Sequence, residues 1–199
     1  MSKKSAFDVG PSPEEVRRVA QEARDLPREQ LERGVLGCLG LVVAVWAVTV
    51  AVVATKLPER VPTHWSGETP DGWSSRTGAI ALFVLTPIAI SALLVLVSGL
   101  VMRWPQSINA PQKEEWLRTP QRLRTLERLM REDMVLLSAL IFGLFALLTA
   151  MTGWAAHQPG GAMPGWLIGG VLLLFVVGML TFLVTRMLGS RYTPTDTVD

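Results

Sequence analysis

The stretch GVLGCLGLVVAVWAVTVAVVAT, residues 34–55, decides the fold because it carries no charged side chain over its whole length. About 20 apolar residues in a helix cross the ~30 Å hydrocarbon core of a bilayer, where a helix satisfies its own backbone hydrogen bonds. Three further charge-free runs lie at residues 78–102, 134–156 and 158–185. Pro159 and Pro164 interrupt the last run, so its span is predicted to begin near Gly165. The sequence therefore predicts an all-α integral membrane protein, a four-transmembrane-helix bundle with spans at residues 34–55, 78–102, 134–156 and 165–187.

Composition alone would not exclude a globular protein, since 49% of the 199 residues are hydrophobic and 18% are charged. The segregation of the charges carries the membrane prediction. About 33 mostly polar residues precede the first run, far more than a short basic leader. The run itself is longer than the ~7–15 residues of a signal-peptide core. We therefore interpret it as a permanent span. Cys38 is the single cysteine of the sequence, which excludes an internal disulfide.

The distribution of Lys and Arg predicts the orientation. Residues 1–33, 103–133 and 186–199 carry 16 of these residues, whereas the segments between the other span ends carry three. The positive-inside rule therefore predicts that both termini are cytoplasmic, together with the loop 103–133 and the tail 189–199, and that loop 56–77 lies outside. The basic residues flank spans and are diluted by Glu and Asp, so nucleic-acid binding is not predicted.

The seven tryptophans are expected mainly at the two membrane interfaces, which indole rings favour. Five map near the outer interface, namely Trp46, Trp65, Trp73, Trp154 and Trp166, and Trp104 and Trp116 map near the inner one.

Residues 1–33 are predicted to form a helical segment in the cytoplasm. Ser12 can cap a helix that starts with Pro13 and closes a capping box with Glu15. The helix should run to about Asp25, and a second short helical piece is expected at residues 28–33. The apolar stripe of this segment is thin, which favours a solvated or surface-lying helix over a packed domain.

The middle loop, residues 103–133, is predicted to contain an amphipathic helix that starts at Thr119 and Pro120. Leu123, Leu126 and Met130 recur at helical spacing among arginines. The helix would lie along the inner leaflet or against the spans. A basic connector and a docking site for a cytoplasmic partner are both compatible with this pattern.

The predicted spans contain no ionisable residue, which argues against an ion-coupled pump because such proteins need titrating or fixed charges at membrane depth. Pro87 should kink the second span and free a backbone carbonyl, which a neighbouring helix or a hydroxyl can satisfy. Gly165 with Gly169, and Ala139 with Gly143, form pairs of small residues that allow close helix contact within the chain or in a homo-oligomer.

Loop 56–77, KLPERVPTHWSGETPDGWSSRT, is rich in Pro and Gly. Pro58 and Pro62 favour extended backbone before them, and SGETPDGW has the composition of a turn. The loop is therefore expected to be ordered and to pack over the ends of the spans.

This loop and its surroundings resemble a bacterial membrane family that is catalogued as a domain of unknown function and forms the N-terminal unit of SdpI-type immunity proteins. The resemblance covers roughly residues 40–135. Its residues in the loop are Leu57-Pro58, Val61-Pro62, His64-Trp65, Gly67, Asp71-Gly72, Trp73 and Arg76, followed by Pro87 in the second span. A second segment, INAPQKEEWL, resembles the family's Asn-x-Pro-x-Lys-x-x-Trp-Leu motif and contains Asn109, Pro111, Lys113 and Trp116. The resemblance implies a small multispan protein of the bacterial plasma membrane, with a protective or signalling role and no assigned catalytic residue.

Three interpretations of the loop remain open. His64 and Asp71 could serve the loop's own structure, His64 with Glu59, Glu68 and Asp71 could bind a metal, or the loop could recognise a ligand. In the last case His64, Trp65 and Trp73 would form the site, and Arg60 or Arg76 would meet an anionic group. One His without zinc-motif spacing is weak support for a metal.

No nucleophile stands beside a base at a plausible spacing, so the sequence does not predict an enzyme, and it predicts no cofactor or metal. The leading hypothesis is a membrane protein that senses a ligand or peptide through His64, Trp65, Asp71, Trp73 and Arg76. The segment with Asn109, Pro111, Lys113 and Trp116 would face a cytoplasmic partner. The alternative hypothesis is an accessory subunit of a transporter or another membrane complex.

Overall fold

Helix α5, Pro120–Ala155, is the longest element of the computed structural model, which describes residues 10–188 and 190–194. The other helices are α1 (Pro13–Asp25), α2 (Arg33–Ala54), α3 (Arg76–Ser98), α4 (Lys113–Trp116) and α6 (Gly165–Phe182). Short 3₁₀ turns lie at Gly99–Met102, Pro105–Ser107, Pro159–Gly161 and Ser190–Tyr192, and a π-helical turn, Leu183–Met187, follows α6. The predictions for residues 1–9, 189 and 195–199 lie outside the described residues.

The prediction of four membrane-spanning helices is confirmed at the level of length and composition. In the described part of the chain, four helical stretches are long and apolar enough to cross a bilayer, at Arg33–Ala54, Arg76–Met102, Pro120–Ala155 and Gly165–Met187. Helix α5 packs along both α2 and α3, whereas α6 packs mainly against α5. Across the described residues of α6 only Val171 is buried, so most of its apolar surface faces outward.

The amphipathic loop helix and the third span, which were predicted as two elements meeting at residue 134, form a single element. One continuous helix covers both, because residues 121–142 contain neither Gly nor Pro to interrupt it. The predicted helix start is confirmed, since Thr119 caps the helix by accepting a hydrogen bond from the backbone N–H of Arg122 at 3.3 Å. The charged residues of α5 end at Asp133, but the helix continues through this position without a break.

The all-α prediction needs a correction in the loop between α2 and α3. Strands β1 (Arg60–Ser66) and β2 (Thr69–Ser75) pair antiparallel in a two-stranded hairpin. Gly67 has a φ of 64° in the two-residue connection, a conformation that glycine adopts without steric cost. The segment SGETPDGW was predicted to be a turn, but only Gly67 and Glu68 connect the strands. Pro70 lies within β2, in a two-stranded sheet where both strands are edges that tolerate proline.

Helix α1 is packed, contrary to the prediction of a solvated or surface-lying helix. The capping box of Ser12 and Glu15 is confirmed, and the stripe that contains Val16, Val19 and Ala23 is buried. It packs in one cluster with residues of the turn after α3, of α4 and α5, and with Tyr192. The small side chains of α1 allow it to pack closely against these residues, although its apolar stripe is thin.

The short helix expected at residues 28–33 is absent from the described structure, where residues 27–32 are not helical. The polar groups of this segment bind α5 instead of forming a helical turn. Arg28 donates two hydrogen bonds to Glu127 at 3.1 and 3.0 Å, and the backbone N–H of Glu32 donates to Glu132 at 3.0 Å.

Pro87 lies inside α3 and is buried. Because proline has no N–H, the carbonyl of Phe83, four residues earlier, loses its helical partner. The indole N–H of Trp46 on α2 donates to this carbonyl at 3.2 Å, as the sequence predicted for a neighbouring helix. Trp46 is therefore a buried contact between spans and packs edge-to-face on Phe142 at 4.8 Å, a role that its expected placement at the outer interface did not foresee.

Candidate functional site

Two polar regions lie at opposite ends of the spans. We call the end with the β1–β2 hairpin and the turn between α5 and α6 the hairpin end. The opposite end, with α1, α4 and residues 190–194, is the terminal end. Both predicted sets of site residues fall at these ends, one set at each.

The hairpin is fastened to the turn between α5 and α6 by three hydrogen bonds. The indole N–H of Trp65 donates to the carbonyl of Gly161 at 2.9 Å. The carbonyl of Glu68 accepts from the backbone N–H of Met163 at 3.0 Å, and its carboxylate accepts from the N–H of Gly165 at 3.0 Å. A carboxylate at the first residue of α6 also interacts favourably with the helix dipole. We call these contacts the hairpin clamp.

Gly161 brings the two partners of the clamp close together. Its φ of 72° lies in the left-handed region that favours glycine. A Cβ at this position would lie 2.9 Å from the ring of Trp73, and 3.3 Å from each of Pro62 and Pro70. One face of the hairpin thus closes on a backbone that has no room for a side chain.

His64 and Asp71 form a pair that projects away from these contacts. Their Nδ1 and Oδ1 atoms are 2.5 Å apart, and the side chains are 74% and 49% exposed. Arg60 lies over the ring of Trp73 at 5.2 Å from its centroid, a cation–π contact, and Arg76 is an exposed residue at the first position of α3. The arrangement offers a hydrogen-bonding pair and two cations on a fixed support.

The structure therefore divides the predicted loop site. Trp65 and Trp73 contact the turn at Gly161, while His64 and Asp71 face solvent. Within residues 10–188 and 190–194, no group of three or more His, Cys, Asp and Glu residues is arranged to hold a metal ion.

At the terminal end, arginines surround carboxylates on α5. Glu132 and Asp133 have no exposed side-chain surface, and Glu127 is 2% exposed. The ion pairs join three parts of the chain, and we call this set the arginine–carboxylate cluster. Its members are Arg28, Glu29, Arg124, Glu127, Arg128, Arg131, Glu132, Asp133, Arg186, Arg191 and Tyr192.

Asp133 is at the centre of the contacts between α5 and the end of the chain. It accepts hydrogen bonds from Arg186 Nε at 2.8 Å and from the hydroxyl of Tyr192 at 2.6 Å. Burial and this bond raise the pKa of Tyr192. The bonded hydroxyl is therefore favoured in the folded state. Its contribution to stability is fully present below the tyrosine's ordinary pKa of about 10 and is lost as the pH rises through the raised pKa.

The segment that contains Asn109, Pro111, Lys113 and Trp116 closes the terminal end. Trp116 is 3% exposed, and its indole N–H lies within hydrogen-bonding distance of the carbonyls of Pro111 and Tyr192, at 3.2 and 3.3 Å. The ammonium group of Lys113 donates to the carbonyl of Gln106, while Asn109 is exposed. Trp116 is thus a buried contact of the terminal end, which the prediction of an interfacial anchor did not foresee.

The sequence did not single out the arginine–carboxylate cluster. A signal was present, because Asp133 continues the stripe of Leu123, Leu126 and Met130 at helical spacing. A carboxylate on an apolar stripe indicates a buried charge that needs partners. Those partners, Arg186 and Arg191, lie more than fifty residues away in the sequence, and periodicity cannot identify them.

The fold and its surface define a multi-pass membrane protein with an ordered hairpin at one end. Residues 40–86 match the model of a family described as "Domain of unknown function (DUF1648)". The match covers about a quarter of the chain and includes most of α2, the whole hairpin and the first half of α3. The resemblance to a domain of unknown function is thereby confirmed for this segment. No curated protein and no solved structure matches the chain.

Proposed function

We propose that the chain is a non-enzymatic protein of the bacterial plasma membrane that senses a ligand or peptide through its hairpin. In this proposal the hairpin end is extracytoplasmic and both termini are cytoplasmic, which the excess of Lys and Arg at the terminal end supports. A protective role, like that of SdpI-type immunity proteins, and a signalling role both belong to this proposal.

The observation that carries the proposal is the exposed pair of His64 and Asp71 on a hairpin that is held from three directions. Strand β1 follows α2, strand β2 leads directly into α3, and the hairpin clamp holds the turn between α5 and α6. A ligand that displaces the hairpin would therefore act on the ends of all four spans. Arg60 and Arg76 provide cations for an anionic group of the ligand.

Helix α5 gives a physical route from the hairpin end to the terminal end. Its last residues precede the clamped turn, and its first four turns carry the buried carboxylates of the arginine–carboxylate cluster. A rigid helix with contacts at both ends can transmit a displacement at one end to the contacts at the other, if those contacts have two alternative arrangements. In this proposal the arginine–carboxylate cluster is the element that responds.

Orientation is tested by labelling with a membrane-impermeant maleimide in intact cells. With Cys38→Ala as background, Ser66→Cys places a thiol on the hairpin and Ser107→Cys places one at the terminal end. We expect labelling of the hairpin thiol without permeabilisation, and labelling of the other thiol only after it. The reverse pattern would contradict the orientation and with it the extracytoplasmic sensor.

Recognition is tested in a strain in which deletion of the gene has a measurable phenotype. A gene that encodes His64→Ala with Asp71→Ala should fail to complement the deletion, so the deletion phenotype persists while the protein inserts at its normal level. Ser66→Ala, on the same hairpin, is the matched control and should have no effect. A functional His64/Asp71 variant would exclude this pair as the recognition site.

The alternative, an accessory subunit of a membrane complex, is supported by the outward-facing surface of α6. Only 6% of its apolar stretch is buried, compared with 11% in the stretches that contain α2 and α3 and 39% in α5. Another protein's helix could cover this surface in place of lipid. Purification in mild detergent would favour this alternative if a partner subunit co-purified in stoichiometric amount and was lost when Leu173 and Val177 were changed to Trp.

A further inference from the structure

A small basic cleft lies at the terminal end, between α1 and the chain that leaves α3. Its volume is about 220 Å³. Arg17, Ala20 and Arg24 form one wall, since these positions recur on one side of a helix. Arg103 and Trp104 belong to the opposite wall, and the small side chain of Ala20 leaves the space between them open.

The cleft concentrates positive charge, and none of the described residues that line it is acidic. Arg24 donates from Nε and Nη2 to the carbonyl of Met102, at 3.1 and 2.8 Å. Arg17 and Arg103 form no ion pair with any residue in the described ranges 10–188 and 190–194, and no carboxylate lines the cleft. Three guanidinium groups around one space repel each other, and a bound anion would relieve that repulsion.

Two other arginines at the same end do have a carboxylate partner. Arg18 pairs with Glu22 at 3.7 Å on the same helix, and Arg118 pairs with Glu115 at 2.8 Å. The described part of the chain thus supplies acidic partners to Arg18 and Arg118 and provides none for Arg17 and Arg103.

The position of the cleft relative to the spans indicates where its ligand comes from. The apolar stretch that contains α3 ends at Met102, directly before Arg103 and Trp104. Trp104 is 59% exposed, and an exposed indole at the end of a span favours the headgroup layer. The cleft therefore opens at the level of lipid headgroups, on whichever side of the membrane the terminal end lies.

We propose that this cleft binds the headgroup of an anionic phospholipid. Guanidinium groups bind phosphate oxygens through paired, charge-assisted hydrogen bonds, and basic pockets at the ends of spans favour anionic lipids. The volume is below the ~300–1,000 Å³ of pockets for drug-sized ligands, which suits a small headgroup. The proposal does not depend on a sensing function of the hairpin.

The test compares two lipids on the purified full chain by native mass spectrometry. Dioleoyl phosphatidylglycerol carries a net negative charge, and dioleoyl phosphatidylcholine is its zwitterionic counterpart with the same acyl chains. We expect the wild-type protein to bind the first phosphatidylglycerol molecule at least about tenfold more tightly than phosphatidylcholine.

Two double variants locate the binding. Arg17→Gln with Arg103→Gln removes the unpaired cations and should weaken phosphatidylglycerol binding about tenfold or more, while phosphatidylcholine binding stays unchanged. Arg18→Gln with Arg118→Gln removes equal charge from the same end and should change either affinity by less than about twofold. Unchanged thermal unfolding midpoints would show that both double variants fold. If the Arg17→Gln/Arg103→Gln variant does not fold, the single variant Arg103→Gln repeats the test.

Three outcomes would overturn the proposal. The wild-type protein could bind both lipids equally, or the two double variants could lose the same affinity for phosphatidylglycerol. Inorganic phosphate, used as a third probe, could bind through Arg17 and Arg103 while phosphatidylglycerol does not. That result would assign the cleft to a soluble phosphate compound.

Discussion

The hairpin end and the terminal end are stabilised by different kinds of interaction. At the hairpin end, the clamp consists of three hydrogen bonds around a glycine, and the His64–Asp71 pair beside it remains exposed. At the terminal end, Glu132 and Asp133 are completely buried among arginines from distant parts of the chain. Exposed ion pairs contribute little to stability, whereas breaking a buried pair leaves an uncompensated charge. The comparison suggests that the terminal end determines whether the chain folds, and that the hairpin end can change without unfolding the protein.

The largest effect is expected from Asp133→Ala at the terminal end. Removal of this carboxylate leaves Arg186 and the hydroxyl of Tyr192 without their acceptor in a buried site. We expect the free energy of unfolding to fall by about 3–5 kcal/mol, measured by denaturant or thermal unfolding in detergent. Glu22→Ala breaks an exposed pair on α1 and is the control, with an expected change of less than about 1 kcal/mol. Equal effects of the two substitutions would contradict the contrast between buried and exposed pairs.

A smaller effect is expected from Gly161→Ala at the hairpin end, where two adjacent glycines provide a matched comparison. Gly160 and Gly161 both have positive φ, at 65° and 72°, but a Cβ on Gly160 would meet no atom within 4 Å. Gly160→Ala should therefore cost only the backbone strain, about 1 kcal/mol. Gly161→Ala adds the overlap with Trp73 and should cost about 1–3 kcal/mol.

Hydrogen exchange of the backbone amides of β1 and β2 would locate the effect of Gly161→Ala. Faster exchange in the hairpin, with unchanged exchange around Asp133, would show that the two ends open separately. If both regions exchanged faster together, the hairpin clamp and the arginine–carboxylate cluster would belong to one cooperative unit.

The sequence predicted the parts of the structure that depend on local chemistry. The four apolar helices, the caps at Ser12 and Thr119, and the order of the loop after α2 follow from charge exclusion, capping residues and proline spacing. The pairing of β1 with β2 was missed because two prolines and Asp71-Gly72 obscure the alternation that marks a strand. The arginine–carboxylate cluster was missed for a different reason. The contacts that join α5 to the other parts of the chain link residues 53 to 102 positions apart, and they depend on tertiary packing.

The candidate site was predictable to the same extent. His64 and Asp71 were named separately among the candidate residues of the loop, and the structure brings their side chains within 2.5 Å. The contact of Trp65 with Gly161, 96 residues later, could not be inferred from spacing alone. A lone sequence can therefore nominate residues in this loop, but it does not show which of them hold the loop and which face a ligand.

Between the two ends, the bond from Trp46 to the Phe83 carbonyl links α2 with α3 and allows a double-mutant cycle. Trp46→Phe leaves this carbonyl unsatisfied because Pro87 cannot supply an N–H. In the Pro87→Ala background, residue 87 can donate to the carbonyl, so the same substitution should cost less. We expect a coupling free energy of about 0.6–1.7 kcal/mol, the range of hydrogen bonds between spans, from unfolding in detergent. A coupling near zero would mean that the indole N–H does not replace the missing helical bond.

The smallest change in stability is expected from His64→Ala, which is the sharpest test of the contrast between the ends. The pair with Asp71 is short, yet 74% of the His64 side chain is exposed, and exposed pairs contribute about 0–1 kcal/mol. The unfolding midpoint of His64→Ala should therefore shift no more than that of Asp71→Ala. The midpoint of the double variant should equal that of either single variant, because each removes the same pair. A loss comparable to that of Gly161→Ala would assign the pair to the support of the hairpin. A negligible loss leaves its exposed geometry free to serve recognition, because such a surface can be altered without disturbing the helices beneath it.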